Sequence, residues 1–249
     1  MPAISVEDLV LAFGSFVVMR DLTFDVERGE IFVIMGGSGS GKSTLLKHLI
    51  GLLHPSDGTI QLEGKDLWAM DEDERSAMLR RTGVLYQRGA LWSTMTLEEN
   101  IALPLQEYTS LDPSDIERIA SLKLALVGLR GFETFYPHEL SGGMQKRAAL
   151  ARAIALDPSV LFFDEPTSGL DPVSARRLDD LILQIRDSLN TTIVVVSHDL
   201  ESIFTIADRA LYLDIETKTM SALGPPEELR SNPPNERVYQ FLTRSLPHE

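Results

Sequence analysis

Nine consecutive residues, Gly36-Gly37-Ser38-Gly39-Ser40-Gly41-Lys42-Ser43-Thr44, combine the residue types that bind phosphate. An apolar run, Ile31-Phe32-Val33-Ile34-Met35, precedes them and Leu45-Leu46-Lys47-His48-Leu49-Ile50 follows, so the spacing predicts a strand, a tight loop and a helix. Gly36, Gly39 and Gly41 let the backbone turn its N–H groups inward, and the helix N-terminus adds partial positive charge. Lys42 is then placed to reach the β- and γ-phosphates of a nucleotide, and the Ser43 hydroxyl to hold Mg²⁺. The loop as a whole, Gly36 through Thr44, is expected to cradle the phosphates of a nucleotide.

Two further groups fit the same chemistry. Asp164-Glu165 follows Val160-Leu161-Phe162-Phe163, which sets two carboxylates at the end of a buried strand, where parallel sheets bind their ligands. Asp164 would reach Mg²⁺ through water, and Glu165 would polarise the water attacking the γ-phosphate. Ser141-Gly142-Gly143 opens a helix, which makes a second anion site from free N–H groups and the helix dipole. Two anion sites far apart in one chain imply that two subunits share each nucleotide.

The elements that must position these groups read as α/β. Alternation in Ile4-Ser5-Val6-Glu7 and Leu22-Thr23-Phe24-Asp25-Val26 predicts a small antiparallel sheet beside the nucleotide core. Phe13 lies between those strands and offers a ring for adenine; Phe16 has a similar claim, and the competing reading is that both rings fill the local core. From Arg88 to Asp157 the pattern becomes helical: Thr96 and Glu99 are spaced as a capping box, Asp112-Pro113 as N-cap and first helical residue, and a helix opening at Ser141 is expected to run to Leu156. The continuous apolar runs Val160–Phe163 and Thr192–Val196 then predict parallel strands covered on both faces, with Asp171-Pro172 starting a helix between them. The expected organisation is one domain: core and β subdomain at 1–87 and 158–223, helical subdomain at 88–157, tail at 224–249.

Composition narrows the class. The chain has 249 residues, 43% of them hydrophobic, which suits a globular core. No apolar stretch approaches the roughly 20 residues of a membrane span, and the N-terminus lacks a basic region with an apolar core, so the expected place is the cytoplasm, with membrane work done through a partner. A formal net charge of −14 argues against a nucleic-acid footprint and against docking on anionic lipid. The absence of cysteine excludes disulfides and thiolate metal sites.

Taken together, these residues resemble the ATP-binding-cassette ATPases over practically the whole chain. Gly36 to Ser43 is similar to their Walker A motif, Leu140 to Gln145 to their signature motif, and Val160 to Glu165 to their Walker B. Gln87 resembles the Q-loop glutamine, Ser168-Gly169-Leu170-Asp171 the D-loop, and His198 the switch histidine. The resemblance implies a P-loop NTPase (RecA-like) core with an antiparallel β subdomain and an inserted helical subdomain. It implies a head-to-tail dimer in which Asp171 and the Ser141, Gly142 and Gly143 of one copy face the nucleotide on the other, hydrolysis by Glu165 with His198 and Gln87, and metal contacts from Ser43, Asp164 and Gln87. Adenine would stack on Phe13.

Tyr86 to Trp92, Asn100 to Glu107 and the tail around Asn232-Pro233-Pro234 resemble the ATPases of the Mla-type phospholipid transporters. That branch implies a transmembrane permease, an MCE-type lipid-binding protein, a small STAS-type regulator and a place on the cytoplasmic face of the inner membrane. Gly37, Arg88 and Trp92 depart from the residues common in relatives. ATPases of other importers or exporters are the alternative, and a soluble DNA-repair or translation cassette is opposed by acidity and by the short interval from Gln87 to Ser141. Ala90, Leu91, Trp92 and Met95 are expected to form the socket for the permease; the competing reading is that they cap the helical subdomain's own core.

Overall fold

The computed structural model describes residues 1–245. Strands β1 (Ile4–Phe13), β2 (Phe16–Val26) and β3 (Ile31–Gly36) are followed by helix α1 (Lys42–Leu49), strands β4 (Asp57–Leu62) and β5 (Lys65–Asp66) and helix α2 (Glu72–Leu79). Strand β6 (Thr82–Leu85) leads into helices α3 (Leu97–Tyr108), α4 (Pro113–Leu126) and α5 (Gly142–Ala153). Alternation resumes with β7 (Val160–Asp164), α6 (Pro172–Leu189), β8 (Thr192–Val196) and α7 (Leu200–Ile206), and β9 (Arg209–Asp214), β10 (Thr219–Gly224), α8 (Pro226–Ser231) and α9 (Glu236–Thr243) complete the chain.

These strands form two sheets, an antiparallel one in the order β2-β1-β4-β5 and a second in the order β10-β9-β3-β8-β7-β6. The second is parallel except for β10, and its strands show why an uninterrupted apolar run suits such a sheet. Ile31, Val33, Met35, Leu161, Phe163, Ile193 and Val195 enter one core with the helices α3 to α7, whereas Phe32, Ile34, Val160, Phe162, Val194 and Val196 enter another with β1, β2 and α1. Successive side chains alternate between the two faces, and each face is covered.

Local signals mostly act where the sequence puts them. Thr96 Oγ1 accepts from Glu99 N at 3.2 Å while Thr96 N donates to Glu99 Oε2 at 2.7 Å, closing the capping box of α3. Asp112 precedes α4 with Pro113 at its first turn, although the Asp112 side chain makes no capping bond. Helix α5 stops at Ala153, short of Leu156, because Ile154 takes a non-helical cap conformation. The strands β9 and β10 are absent from the reading of the sequence, and they extend the ordered core to Gly224.

Two expectations are corrected. Phe13 and Phe16 flank the Gly14-Ser15 turn at the tip of β1 and β2, and at 55% and 62% exposure they do not fill the local core. Leu91 packs against the helical core instead of joining an outward socket, while Trp92 is 57% exposed. The tail is a docked element as far as it is described: Val238 and Leu242 of α9 are buried, Phe241 meets Tyr212 edge-on at 5.2 Å, and Arg237 donates to Asp214 Oδ2 at 2.8 Å and to Glu216. Residues 246–249 of the expected tail lie outside the described residues.

Candidate active site

The loop between β3 and α1 occupies the end of the parallel sheet, as its composition requires. Gly36 takes φ +151°, and a Cβ there would come within 2.6 Å of the Leu213 carbonyl and 2.7 Å of Ser40 Oγ, so only glycine fits. Gly41 N-caps α1 at φ +83°, where no side-chain cap competes for the first helical N–H groups. Lys42 is buried and folds back over the loop, donating from Nζ to the carbonyls of Gly36 at 2.9 Å and Gly37 at 2.8 Å. Burial pulls the Lys42 ammonium below its ordinary range, and the carboxylates of Glu165 and Asp164 oppose that shift.

The strand ends converge on this loop. Ser43 Oγ donates to Asp164 Oδ1 at 3.3 Å, so the second residue of α1 and the last of β7 meet at one point. Glu165 stands at φ +49°, which turns its side chain toward His198, and His198 Nδ1 lies 2.7 Å from Glu165 Oε1. Gln87, just past β6, donates from Nε2 to Ser168 Oγ at 3.4 Å. A cleft of about 610 Å³ is lined by Gly36 to Thr44, Gln87, Glu165 and His198. The sequence thus names most of what lines it.

The residues fit a nucleotide and a divalent ion. Ser40 Oγ is buried with no hydrogen-bond partner among the described residues, beside a loop whose glycines turn N–H groups inward. Among the described residues no group of three or more His, Cys, Asp or Glu can hold a metal by itself. Mg²⁺ suits such a site, because it keeps several waters and takes ligands from substrate phosphates besides one or two protein oxygens.

Other expected residues sit elsewhere. Ser141 caps α5, accepting from Met144 N at 3.3 Å, and is exposed; Gly142 and Gly143 face Leu170 and Ser174 of the same chain and do not line the cleft. Asp171 caps α6 through Val173 N at 3.1 Å and Ser174 N at 3.0 Å, and the Ser174 hydroxyl bond holds its carboxyl below the usual range. Phe13 is not among the cleft residues, whereas Val18 and Phe241 are.

Those two were missed, and so was Lys146. Val18 is one apolar residue in an alternating strand, and Phe241 arrives from the other end of the chain, so neither carries a local signal. Lys146 lies three residues past the glycine pair and is buried; its Nζ donates to the Gln87 carbonyl and reaches the Glu165 carbonyl at 3.5 Å. Burial lowers its pKa, opposed by Asp164 and Glu165. A charged residue on the apolar side of α5 was the available clue.

Comparison with known proteins agrees with this geometry. Residues 19–168 match the family model described as ABC transporter. The chain is 43% identical over 96% of its length, and 89% of the relative's, to the intermembrane phospholipid transport system ATP-binding protein MlaF of Haemophilus influenzae. It is 44% identical over 96% of its length, and 68% of the relative's, to a probable ribonucleotide transport ATP-binding protein, mkl, of Mycobacterium leprae. Among solved structures, the dimeric post-hydrolysis state of the ATP-binding cassette MJ0796 bound to ADP and Pi superposes with a TM-score of 0.78 at 27% identity, covering 89% of this chain and 98% of that one. A phosphate cradle, paired carboxylates and a histidine at one sheet end, in a chain with these relatives, place it: the protein belongs to the ABC transporter family as an ATP-hydrolysing, Mg²⁺-dependent cassette.

Proposed function

We propose that this cassette energises a membrane permease that moves phospholipid, and that its residues divide the work as follows. The loop from Gly36 to Thr44 binds the phosphates, with Lys42 as the cation nearest the γ-phosphate. Ser43, Asp164 and Gln87 serve the Mg²⁺ shell. Glu165 accepts a proton from water as the new P–O bond forms and the bond to the ADP oxygen breaks, and His198 holds that carboxylate in place. The observation that carries the reading is the 2.7 Å contact of His198 Nδ1 with Glu165 Oε1 inside the cleft lined by Lys42.

Ser141 is exposed and does not line its own chain's cleft, which supports a second copy as its nucleotide's host. In that arrangement Ser141, Gly142, Gly143 and Asp171 of one chain close the ATP held by the other, and adenine reaches the exposed Phe13 ring. Residues 88–157 would form the helical subdomain and carry the signature helix, with core and β subdomain at 1–87 and 158–223 and a tail at 224–249. A groove of about 400 Å³ beside β6, lined by Val84, Leu103, Pro104, Tyr108 and Arg152, and the exposed Trp92 beyond that strand are where the permease would dock. No helix among the described residues is long and apolar enough to cross a membrane, so the permease supplies the span, and the cassette works on the cytoplasmic face of the inner membrane.

Phospholipid is favoured as cargo by the likeness to MlaF, and an MCE-type lipid-binding protein and a STAS-type regulator would complete the assembly. Likeness to mkl supports ribonucleotide as a second cargo. Purification from detergent-solubilised membranes, with identification of co-purifying chains and bound molecules, separates the two; a permease carrying ribonucleotide and no lipid overturns the phospholipid reading. For the chemistry, Glu165→Gln should bind ATP and lose turnover. Wild-type turnover in that variant removes Glu165 from the reaction.

A further inference from the structure

Helix α6 buries a single carboxylate. Its inner face carries Leu178, Leu181, Ile182 and Ile185, and among them Asp179 is only 3% exposed. Ser202 of α7 is 1% exposed and donates from Oγ to Asp179 Oδ1 at 2.6 Å. Burial pushes the Asp179 carboxyl up to about 6, the Ser202 bond and Arg176 draw it back, and Asp199 and Asp180 add to the rise. An apolar pair of similar shape would bury here without that penalty. Packing alone therefore gives no reason for this pair.

Position supplies one. Helix α7 starts two residues after His198 and has 7 residues, too few to hold its own direction. Before it, the chain is fixed by Ser197 N donating to the Ile34 carbonyl at 3.2 Å and Asp199 N to Ser197 Oγ at 3.1 Å. After it begins, the polar ties to α6 are Ser202 to Asp179 and Arg176 Nη1 to Thr205 Oγ1 at 3.3 Å. The opposite end of α6 opens at Asp171, next to the Leu170 and Ser174 that face Gly142 and Gly143. One rigid helix thus joins the signature segment to the helix behind His198.

We propose that Asp179 is a positioning residue for hydrolysis: by accepting the Ser202 hydroxyl it fixes α7, and through α7 the imidazole of His198 against Glu165. The proposal rests on His198 belonging to the hydrolytic pair. It predicts an effect on turnover without one on nucleotide binding, because neither residue lines the cleft.

The test is steady-state ATP hydrolysis against ATP concentration, with thermal unfolding of the same full-length preparations. Asp179→Val combined with Ser202→Ala removes both polar partners, and kcat should fall about tenfold from misplacement of His198 while KM stays within about twofold. Tm should be unchanged or higher, since no buried group is left unpaired. Asp179→Asn alone keeps an acceptor oxygen and should hold kcat within about twofold of wild type. A double variant with wild-type kcat, a kcat loss matched by a fall in Tm, or an Asp179→Asn variant as slow as the double one overturns the proposal. His198→Ala run alongside separates the two levels: if it turns over normally, the underlying hydrolytic reading fails, and if it is slow while the double variant is not, only the Asp179 assignment fails.

Discussion

At the scale of single residues, the phosphate loop distinguishes glycines that must be glycine from one that need not be. A Cβ on Gly36 would strike the Leu213 carbonyl at 2.6 Å, in a backbone region reserved for glycine, whereas a Cβ on Gly37 meets nothing within 4 Å. Gly36→Ala should therefore weaken ATP binding by at least about tenfold, from strain of roughly 1–3 kcal/mol, and Gly37→Ala should leave it near wild type, as measured by nucleotide titration. Asp179 offers a pH test of the same kind. Its folded pKa of about 6 lies above the ordinary aspartate value of 3.8, so the folded state holds the proton longer, and stability falls as pH rises between those values. Above pH 6 the penalty is complete, on the order of 3 kcal/mol, and Asp179→Asn removes it. Denaturation midpoints should then favour Asp179→Asn at pH 8 and approach wild type near pH 4; a constant difference between the two proteins would exclude the burial penalty. Lys42, Ser43, Asp164 and Glu165 were legible in the sequence because each belongs to a short local pattern, and His198 only through the order of motifs that the family resemblance supplies. Val18, Phe241 and Lys146 were not, because tertiary packing alone delivers them to the site.

At the scale of elements, the segment between β6 and α3 shows what a sequence pattern leaves open. Four apolar residues close together suggested one outward surface, yet Leu91 turns in while Trp92 stays 57% exposed. The loop is held by Asn100, fully buried, which accepts from Trp92 N at 2.7 Å and donates to the carbonyls of Trp92 at 3.0 Å, Met95 at 3.2 Å and Thr96 at 2.9 Å. That role is invisible in sequence, since a helical asparagine looks like a surface residue. The two positions should behave oppositely. Asn100→Ala strands several buried backbone groups and should cost about 2–3 kcal/mol in chemical denaturation. Trp92→Ala should leave stability unchanged and reduce co-purification with the permease, as loss of an aromatic anchor does. Strand β10 escaped sequence reading for a related reason: it mixes apolar and polar residues on a sheet edge with no buried run to betray it, whereas β9 carries the short buried run Ala210 to Leu213.

At the scale of the molecule, the two apolar cores explain how distant motifs become one device. Each parallel strand contributes to both cores, so the ends of β3, β7 and β8 stay aligned, and the groups just beyond them meet around a single cleft. The signature helix is tied to that cleft only from behind, through Lys146 to Gln87 and Glu165, and its Ser141 faces outward. A shared nucleotide site therefore requires a second copy to bring its Ser141 to the loop around Ser38. Since the chain has no cysteine, one introduced at Ser38 and one at Ser141 supply the sole thiols. In a Glu165→Gln background, oxidation with ATP and Mg²⁺ should yield covalent dimers, and Lys42→Ala should abolish them. Crosslinks confined to one chain, or dimers indifferent to ATP, would contradict a shared site.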